Sequence, residues 1–371
     1  ATYINGYPFK PEDRGEKGLP IIRIQDLTGN AYDLGFYDGE YPKRIEINDG
    51  DVLISWSASL GVYIWDRGKA LLNQHIFKVV FDKSEVNKQY FVYAVQYKLK
   101  EMETKAHGAT MKHIVKKDFD NTLIPFPSVN EQCRIATTIS QVTKIIASRQ
   151  KQLQKLDELV KSQFIEMFVK NEEASKWPRH TMADVSKNMR TGPFGSALHH
   201  DEFVDNGVFV LGIDNAVENK FSYNRMRYIT EEKYQQLKRY TVYPGDVIIT
   251  IMGTVGRSAV IPPDMPKAIN TKHLACITPD TAKVNAQFLS CAFQTHPDIR
   301  MQLQRQCKGA IMDGLNLTII KKLSFSVPPL YIQNQFVEFY EEVEKALVSM
   351  RKILEEEQLL FDSLMQKYFD E

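Results

Sequence analysis

The chain has 371 residues, 43% hydrophobic, 25% charged and 11% aromatic, with 47 Lys+Arg against 46 Asp+Glu and a formal net charge of +1. That balance excludes a disordered tail, a collagen-like chain and a uniformly basic packing protein. At roughly 100 to 200 residues per domain the length fits two or three domains with cores of their own, which excludes a small disulfide-stapled scaffold.

Along the chain, an opening segment, NGYPFKPEDRGEKGLPIIRIQDL from Asn5, leads to a Gly-Asp turn and the β-branched run Val52 to Ser55, which is strand and turn chemistry. Lys88 to Met102 reads as a helix, and Pro125 and Pro127 then separate this globular part from a long helix. A second pass follows, with TGPFGSALHHDEFVDNGVFVLGIDN from Thr191, a strand over Val247 to Ile251, one helix over Gln287 to Gln306, Pro328 and Pro329, and another long helix. The passes are copies. GDVLISWSASLG from Gly50 matches GDVIITIMGTVG from Gly245 at an offset of 195, NQHIFKV from Asn73 matches NTKHLACI from Asn270, VNKQYFVYAV from Val86 matches VNAQFLSCAF from Val284, and HGATMKHI from His107 matches KGAIMDGL from Lys308. The expected fold is α+β, with two similar mixed α/β domains over 1–130 and 176–330, each followed by a long helix, 131–172 and 331–371. Trp177 to Arg190 have only the stub Ala1 to Ile4 as counterpart, so about ten residues of the repeat are expected ahead of Ala1.

In the first long helix Ile135, Ile139, Val142, Ile146, Arg149, Leu153, Leu156, Val160, Gln163 and Met167 step by 4 and 3 alternately, a heptad seam. The second helix carries it 201 residues later as Phe336, Tyr340, Val343, Leu347, Met350, Leu354, Glu357, Phe361, Leu364 and Tyr368. Residues 131 to 170 hold seven basic and four acidic residues, whereas 331 to 371 hold four and ten, so opposite flanks favour pairing of the two helices as an antiparallel coiled coil. That alignment brings the seam breakers Arg149 and Glu357 within about one turn, an expected ion pair. The alternative is that each helix packs on its own globular domain. Forty residues make a rod of roughly 60 Å, which would hold the copies at opposite ends about a pseudo-two-fold axis. Two separated sites suit DNA, whose half-sites one turn apart lie ~34 Å from each other. Residues 176 to 330 have nineteen basic and thirteen acidic residues, residues 1 to 130 seventeen of each. Basic residues in or beside loops, some near Phe9 and Phe194, include Lys10, Arg14, Arg190, Arg257, Lys272 and Lys308.

The GDVLIS and GDVIIT turns, the NQHIF and NTKHL segments, the GAT and GAI motifs, and PFPSVNEQCRI and VPPLYIQNQF leading into long helices together resemble the specificity subunit of Type I restriction-modification systems over nearly the whole chain. The resemblance implies two target recognition domains reading the halves of a bipartite DNA sequence, with the coiled coil spacing them and docking the methylase. It also implies a scaffold without catalytic residues or a cofactor of its own. Its partners would be double-stranded DNA, two modification subunits that methylate adenine N6 with S-adenosylmethionine, and restriction subunits that use ATP and Mg. The expected DNA-contacting residues are Lys10, Arg14, Ser57, Ser59 and Lys112 in the first copy and Arg190, Phe194, Ser196, His199, Thr254, Arg257, Lys272 and Lys308 in the second. Because the copies diverge between their framework motifs, the target is expected to be asymmetric.

Enzymatic readings lack their residues. An adenine methyltransferase needs an Asp/Asn-Pro-Pro-aromatic loop, and Val327-Pro328-Pro329-Leu330 lacks both ends of it. GVYIWDRGKA from Gly61 has the wrong spacing for a phosphate loop. His199, His200, Asp201 and Glu202 read as a polar loop and not a metal site. His75 and His273 hold matching framework positions and read as structural, since nothing pairs them with a nucleophile. Cys133, Cys276, Cys291 and Cys307 form no C-x-x-C pair and read as single thiols in a reducing compartment. With no apolar run near the ~18 residues of a membrane span and no basic-then-apolar signal pattern, the chain reads as cytoplasmic. The remaining alternatives are a coiled-coil interaction scaffold without a DNA role and a single-chain DNA-modifying enzyme.

Overall fold

A computed structural model describes residues 1–29, 33–57, 59–105, 121–194, 197–306 and 315–370, the side chains of 103–105 excepted. The chain forms two compact units, Ala1–Lys151 with Arg351–Glu371, and Gln152–Met350.

The first unit contains strands β1 (Thr2–Asn5), β2 (Leu19–Ile22), β3 (Gly35–Tyr37), β4 (Glu46–Ile47), β5 (Val52–Ser55), β6 (Gly61–Ile64), β7 (Ala70–Leu72) and β8 (Ile76–Val80). They make two four-stranded sheets, β1-β8-β5-β6 and β3-β2-β7-β4, the first antiparallel and the second with β2 and β7 parallel. The helix Lys88–Lys105 contributes Phe91, Val92, Val95 and Leu99 to a core with Val52, Ile54, Phe77 and Val79.

The second unit adds β9 (Arg179–Thr181), β10 (Ser186–Thr191), β11 (Val208–Leu211), β12 (Tyr228–Ile229), β13 (Thr241–Val242), β14 (Val247–Thr250), β15 (Ser258–Val260), β16 (Ala268–Asn270), β17 (Leu274–Pro279) and β18 (Ser324–Ser326). Its sheets β10-β17-β14-β15 and β12-β11-β16-β13 repeat those of the first unit strand for strand, with β11 and β16 parallel where β2 and β7 are. β9 and β18 form an additional antiparallel pair. The one helix expected over Gln287 to Gln306 is two, Ala286–Thr295 and Pro297–Gln306. Pro297 lacks an amide hydrogen and pushes the preceding residue out of helical geometry, and His296 is extended at φ −64°, ψ 122°.

The repeated Gly-Asp turn has one mechanism in both units. Gly50 and Gly245 sit at φ +84° and +83°, which glycine adopts without steric penalty. The aspartate that follows accepts a backbone hydrogen bond three residues back, from Asn48 to Asp51 and from Tyr243 to Asp246, each at 2.9 Å.

The long helices span Val129–Phe168 and Leu330–Phe369. In the first unit Ile135 and Ile139 pack with Met365 and Phe369, and in the second Phe164 and Phe168 pack with Phe336, so in each unit the two helices run antiparallel. Every apolar seam residue is buried or half-buried. Toward each helix C-terminus the seam turns by a position: Phe164 and Phe168 enter the second unit's core beside Phe288, and Met365 and Phe369 enter a cluster with Tyr90 and Tyr93. A straight helix drifts against a strict heptad, and here the drift aims its end at the globular domain. Among the described residues no helix is long and apolar enough to cross a membrane.

Candidate nucleic-acid interface

A strand-end hydroxyl shapes the same loop in each unit. The Ser55 hydroxyl donates to the Ser59 carbonyl at 2.6 Å, and the Thr250 hydroxyl donates to that of Thr254 at 2.5 Å. The loops after β5 and β14 therefore turn alike, leaving Ser59, Thr254 and Arg257 exposed.

A second wall is the turn after β2 and β11. The Arg23 amide donates to Asp26 and the Gly212 amide to Asn215, both at 2.8 Å, so these turns are tied by the same bond at equivalent positions. The third wall follows β7 and β16, where the Asn73 amide donates to the Ile22 carbonyl at 3.1 Å and that of Thr271 to the Leu211 carbonyl at 3.0 Å. This sets a constant correspondence: Asn73 stands with Thr271, Gln74 with Lys272 and His75 with His273. The string match of Asn73 to Asn270 is thus corrected by one residue, because backbone pairing and not side-chain identity decides register.

In the first unit these walls enclose a cleft lined by Arg23, Gln25, Thr28, Ser59, Gln74 and His75. His75 has φ +75°, an arrangement that costs a non-glycine residue about 1–3 kcal/mol. Its ring meets Trp56 edge-on with centroids 5.0 Å apart, and its Nδ1 is buried with no hydrogen-bond partner among the described residues. The Arg23 guanidinium is held by Asp26 at 3.1 Å and by the Asp33 carbonyl at 2.6 Å. In the second unit the place of Arg23 is taken by Gly212, and a Cβ there would lie 3.2 Å from Nη1 of Arg227, so an arginine from another part of the chain covers the same wall. Arg227 also bonds Asp214, the counterpart of Gln25, at 2.9 Å. Burial first, then Lys272 and Arg227, lower the His273 pKa below that of an ordinary imidazole.

Of the residues expected to touch DNA, Ser59 lies in the first cleft, while Thr254 and Lys272 hold the equivalent positions in the second unit. Lys10 is exposed, 3.7 Å from Glu12, and Arg14 is half-buried with its guanidinium 3.1 Å from Asp33. Phe194 is 56% exposed, and His199 is exposed at the start of a short turn. Lys112, Ser196 and Lys308 lie outside the described residues.

Two assignments are corrected. Ser57 is buried, only 7% exposed, so its side chain is turned away from the surface. Arg190 points inward: its guanidinium is 2.6 Å from the buried Asp246 and donates to the Thr241 carbonyl and the Thr278 hydroxyl. The Gly-Asp turn leaves a carboxylate beside the sheet that needs a cation, which Lys78 supplies to Asp51 at 2.8 Å in the first unit and Arg190 to Asp246 in the second. Gln25, Gln74, Asp214 and Arg227 were not singled out from the sequence. For Gln74 a signal existed in the Gln-to-Lys difference inside a matching framework string, whereas Arg227 reaches the cleft only through the fold.

Glu202 is engaged by Lys233 at 2.5 Å and by the His199 amide at 2.7 Å. Among the described residues no group of three or more His, Cys, Asp or Glu is placed to hold a metal. Cys133 is exposed, while Cys276 and Cys291 are buried, and burial pushes the Cys291 thiol up to about 12. Cys307 lies outside the described residues.

Comparison with known proteins agrees with this duplicated architecture. The family model described as the Type I restriction modification DNA specificity domain matches residues 4–158 and 194–357. The chain is 23% identical over 370 residues to the Type I restriction enzyme EcoBI specificity subunit of Escherichia coli, covering 92% of this chain and 77% of that one. Against the MjaVIII specificity subunit of Methanocaldococcus jannaschii the identity is 21% over 330 residues, covering 85% and 77%. The fold is similar to the S subunit of a Type I restriction-modification system from M. genitalium, with TM-score 0.55 and 17% identity over 99% of this chain and 93% of that one. A chain solved in work on complex assembly and conformational transition of the type I R-M system gives TM-score 0.58 and 14% identity, over 87% and 82%. A match over both copies of the repeat places this chain in the Type I restriction-modification DNA specificity family, the subunits that recognise specific DNA sequences without performing catalysis themselves.

Proposed function

We propose that each unit reads one half of an asymmetric bipartite DNA target and that the chain directs two modification subunits, which methylate adenine N6, to that site. The carrying observation is that one two-sheet frame occurs twice, with its loops clamped by the same hydrogen bonds but bearing different side chains at equivalent positions. Identical frames make identical approaches to a duplex, and different side chains then ask for different bases. Exposed cations such as Arg257 set register by phosphate contact, so binding weakens steeply with salt.

S-adenosylmethionine belongs to the modification subunits, ATP and Mg to restriction subunits joining the same assembly in the cytoplasm, and this chain contributes neither cofactor nor metal. The relatives named as Type I restriction enzyme specificity subunits support the DNA-recognition role within such a complex. The test is co-expression with the neighbouring methylase in a methylation-free host, followed by single-molecule mapping of N6-methyladenine. A gapped two-part motif that vanishes when this chain is omitted is expected. Methylation at an ungapped site, or equal methylation without the chain, would instead favour a coiled-coil scaffold with no DNA role.

A further inference from the structure

We propose that Gln74 and Lys272 are specificity-determining residues, Gln74 reading an adenine in one half-site and Lys272 a guanine in the other. The proposal rests on the two-reader function above and assigns its side chains.

The backbone correspondence makes the two positions equivalent. Each follows the residue whose amide is tied to the strand-end carbonyl of Ile22 or Leu211, and each precedes a histidine whose carbonyl accepts the amide of Trp56 or Ile251. The Gln74 amide is itself pinned by the Tyr7 carbonyl at 2.9 Å, while its side chain is exposed. The residue is therefore held by its backbone and free at its amide group, as a base reader needs to be. Lys272 is likewise exposed. Behind Gln74 the backbone of His75 is kept at φ +75°, with its ring braced on Trp56, so this wall is held in an unfavourable geometry by its surroundings.

The chemistry at the equivalent positions is divergent. Gln25 corresponds to Asp214, Ser59 to Thr254 and Gln74 to Lys272, and the wall arginine is Arg23 in one unit and Arg227 in the other. Arg23 donates to the Asp26 carboxylate and the Asp33 carbonyl, and Arg227 donates to the Asp214 carboxylate, so both wall arginines and Asp214 are engaged. Among these residues Gln74 and Lys272 are the long, exposed pair whose donors are not held in a hydrogen bond among the described residues. A carboxamide makes a bidentate match to adenine N6 and N7, whereas an ammonium matches guanine O6 and N7.

The experiment uses the full chain co-expressed with its methylase and reads the methylated motif genome-wide for the wild type, Gln74→Ala, Lys272→Ala and the exchange Gln74→Lys. Gln74→Ala should make one position in one half degenerate, with about 5- to 150-fold loss of discrimination there. Lys272→Ala should do the same in the other half, and Gln74→Lys should turn one adenine of the first half into guanine. Thermal unfolding of each purified variant, expected to match the wild type for exposed residues, separates misfolding from misreading; should Gln74→Ala unfold, Gln74→Glu is read in its place. Unchanged motifs in the alanine variants, or uniform loss of methylation at all sites, would overturn the assignment and leave these residues as surface or phosphate contacts. A wild-type map with no gapped motif would instead refute the two-reader function itself, and the assignment with it.

Discussion

Arg149 and Glu357, 208 positions apart in the chain, meet at 3.0 Å where the apolar seams of the two long helices are interrupted. Their side chains are 25% and 16% exposed, so this is a half-buried pair between helices, with helix 129–168 supplying the cation and helix 330–369 the anion. Two polar residues at the same seam level specify that these helices align here and in this direction, because any sliding would leave a charge against apolar neighbours. Arg149→Ala and Glu357→Ala should each destabilise the protein by about 1–3 kcal/mol, with a coupling of about 1 kcal/mol in a double-mutant cycle followed by denaturant unfolding. Strict additivity would show that the pair contributes nothing beyond its separate members.

Gln132 and Gln333 are entirely buried at the starts of the two long helices. Each carboxamide accepts from the amide of the preceding helix cap, Asn87 at 2.9 Å and Asn285 at 2.8 Å, and donates to a proline carbonyl, Pro127 and Pro328. Gln333→Ala would leave these groups buried and unpaired and should cost about 2–3 kcal/mol of stability. Gln333→Met, similar in length but unable to bond, should be nearly as damaging, and an unfolding midpoint close to wild type for either would refute the clamp.

Arg190 and Arg257 should separate cleanly in solution. Arg190→Met strands the buried Asp246 carboxylate and is expected to cost about 3–5 kcal/mol. Arg257→Ala, at an exposed position, should stay within about 0.5 kcal/mol of wild type while lowering the salt slope of DNA binding by about 1. A stable Arg190→Met protein with reduced DNA affinity would return Arg190 to the interface.

Acid should weaken the second unit through His296. This side chain is buried against Phe164 and Phe325, its Nδ1 accepts the Asp298 amide at 3.2 Å, and burial lowers its pKa. Above the ordinary imidazole value near 6.5 it is neutral folded or unfolded, so no penalty arises. As pH falls below that value the unfolded chain takes up a proton that the folded chain refuses, and stability declines toward the depressed folded value. The denaturation midpoint should therefore drop between pH 7.5 and 5.5, and drop less in His296→Gln. Parallel losses in both proteins would place the acid sensitivity elsewhere.

The duplicated frame and the pairing of the helices were legible because both are repeated patterns. Gly-Asp turns, β-branched runs, proline boundaries and a heptad seam in one register 201 residues apart each report a local rule, and two copies of a rule are hard to produce by chance. The expected meeting of Arg149 and Glu357 followed from that register alone. The helix break at Pro297 was legible as well, and the helical reading of Gln287 to Gln306 passed over it.

Which cations face outward was not legible. Arg190 and Arg257 are alike as letters in loop-rich surroundings, but one answers a carboxylate that the sheet has buried and the other does not. Arg227 comes to cover Gly212 because β12 pairs antiparallel with β11, which sets the residue before β12 beside the turn after β11. The amino-acid sequence by itself determined the family, the repeat and the antiparallel seam, since these depend on periodicity and on residue types at fixed spacings. Tertiary structure alone decided which side chains line the cleft, because burial and charge pairing depend on what the rest of the fold places within a few ångströms of each group.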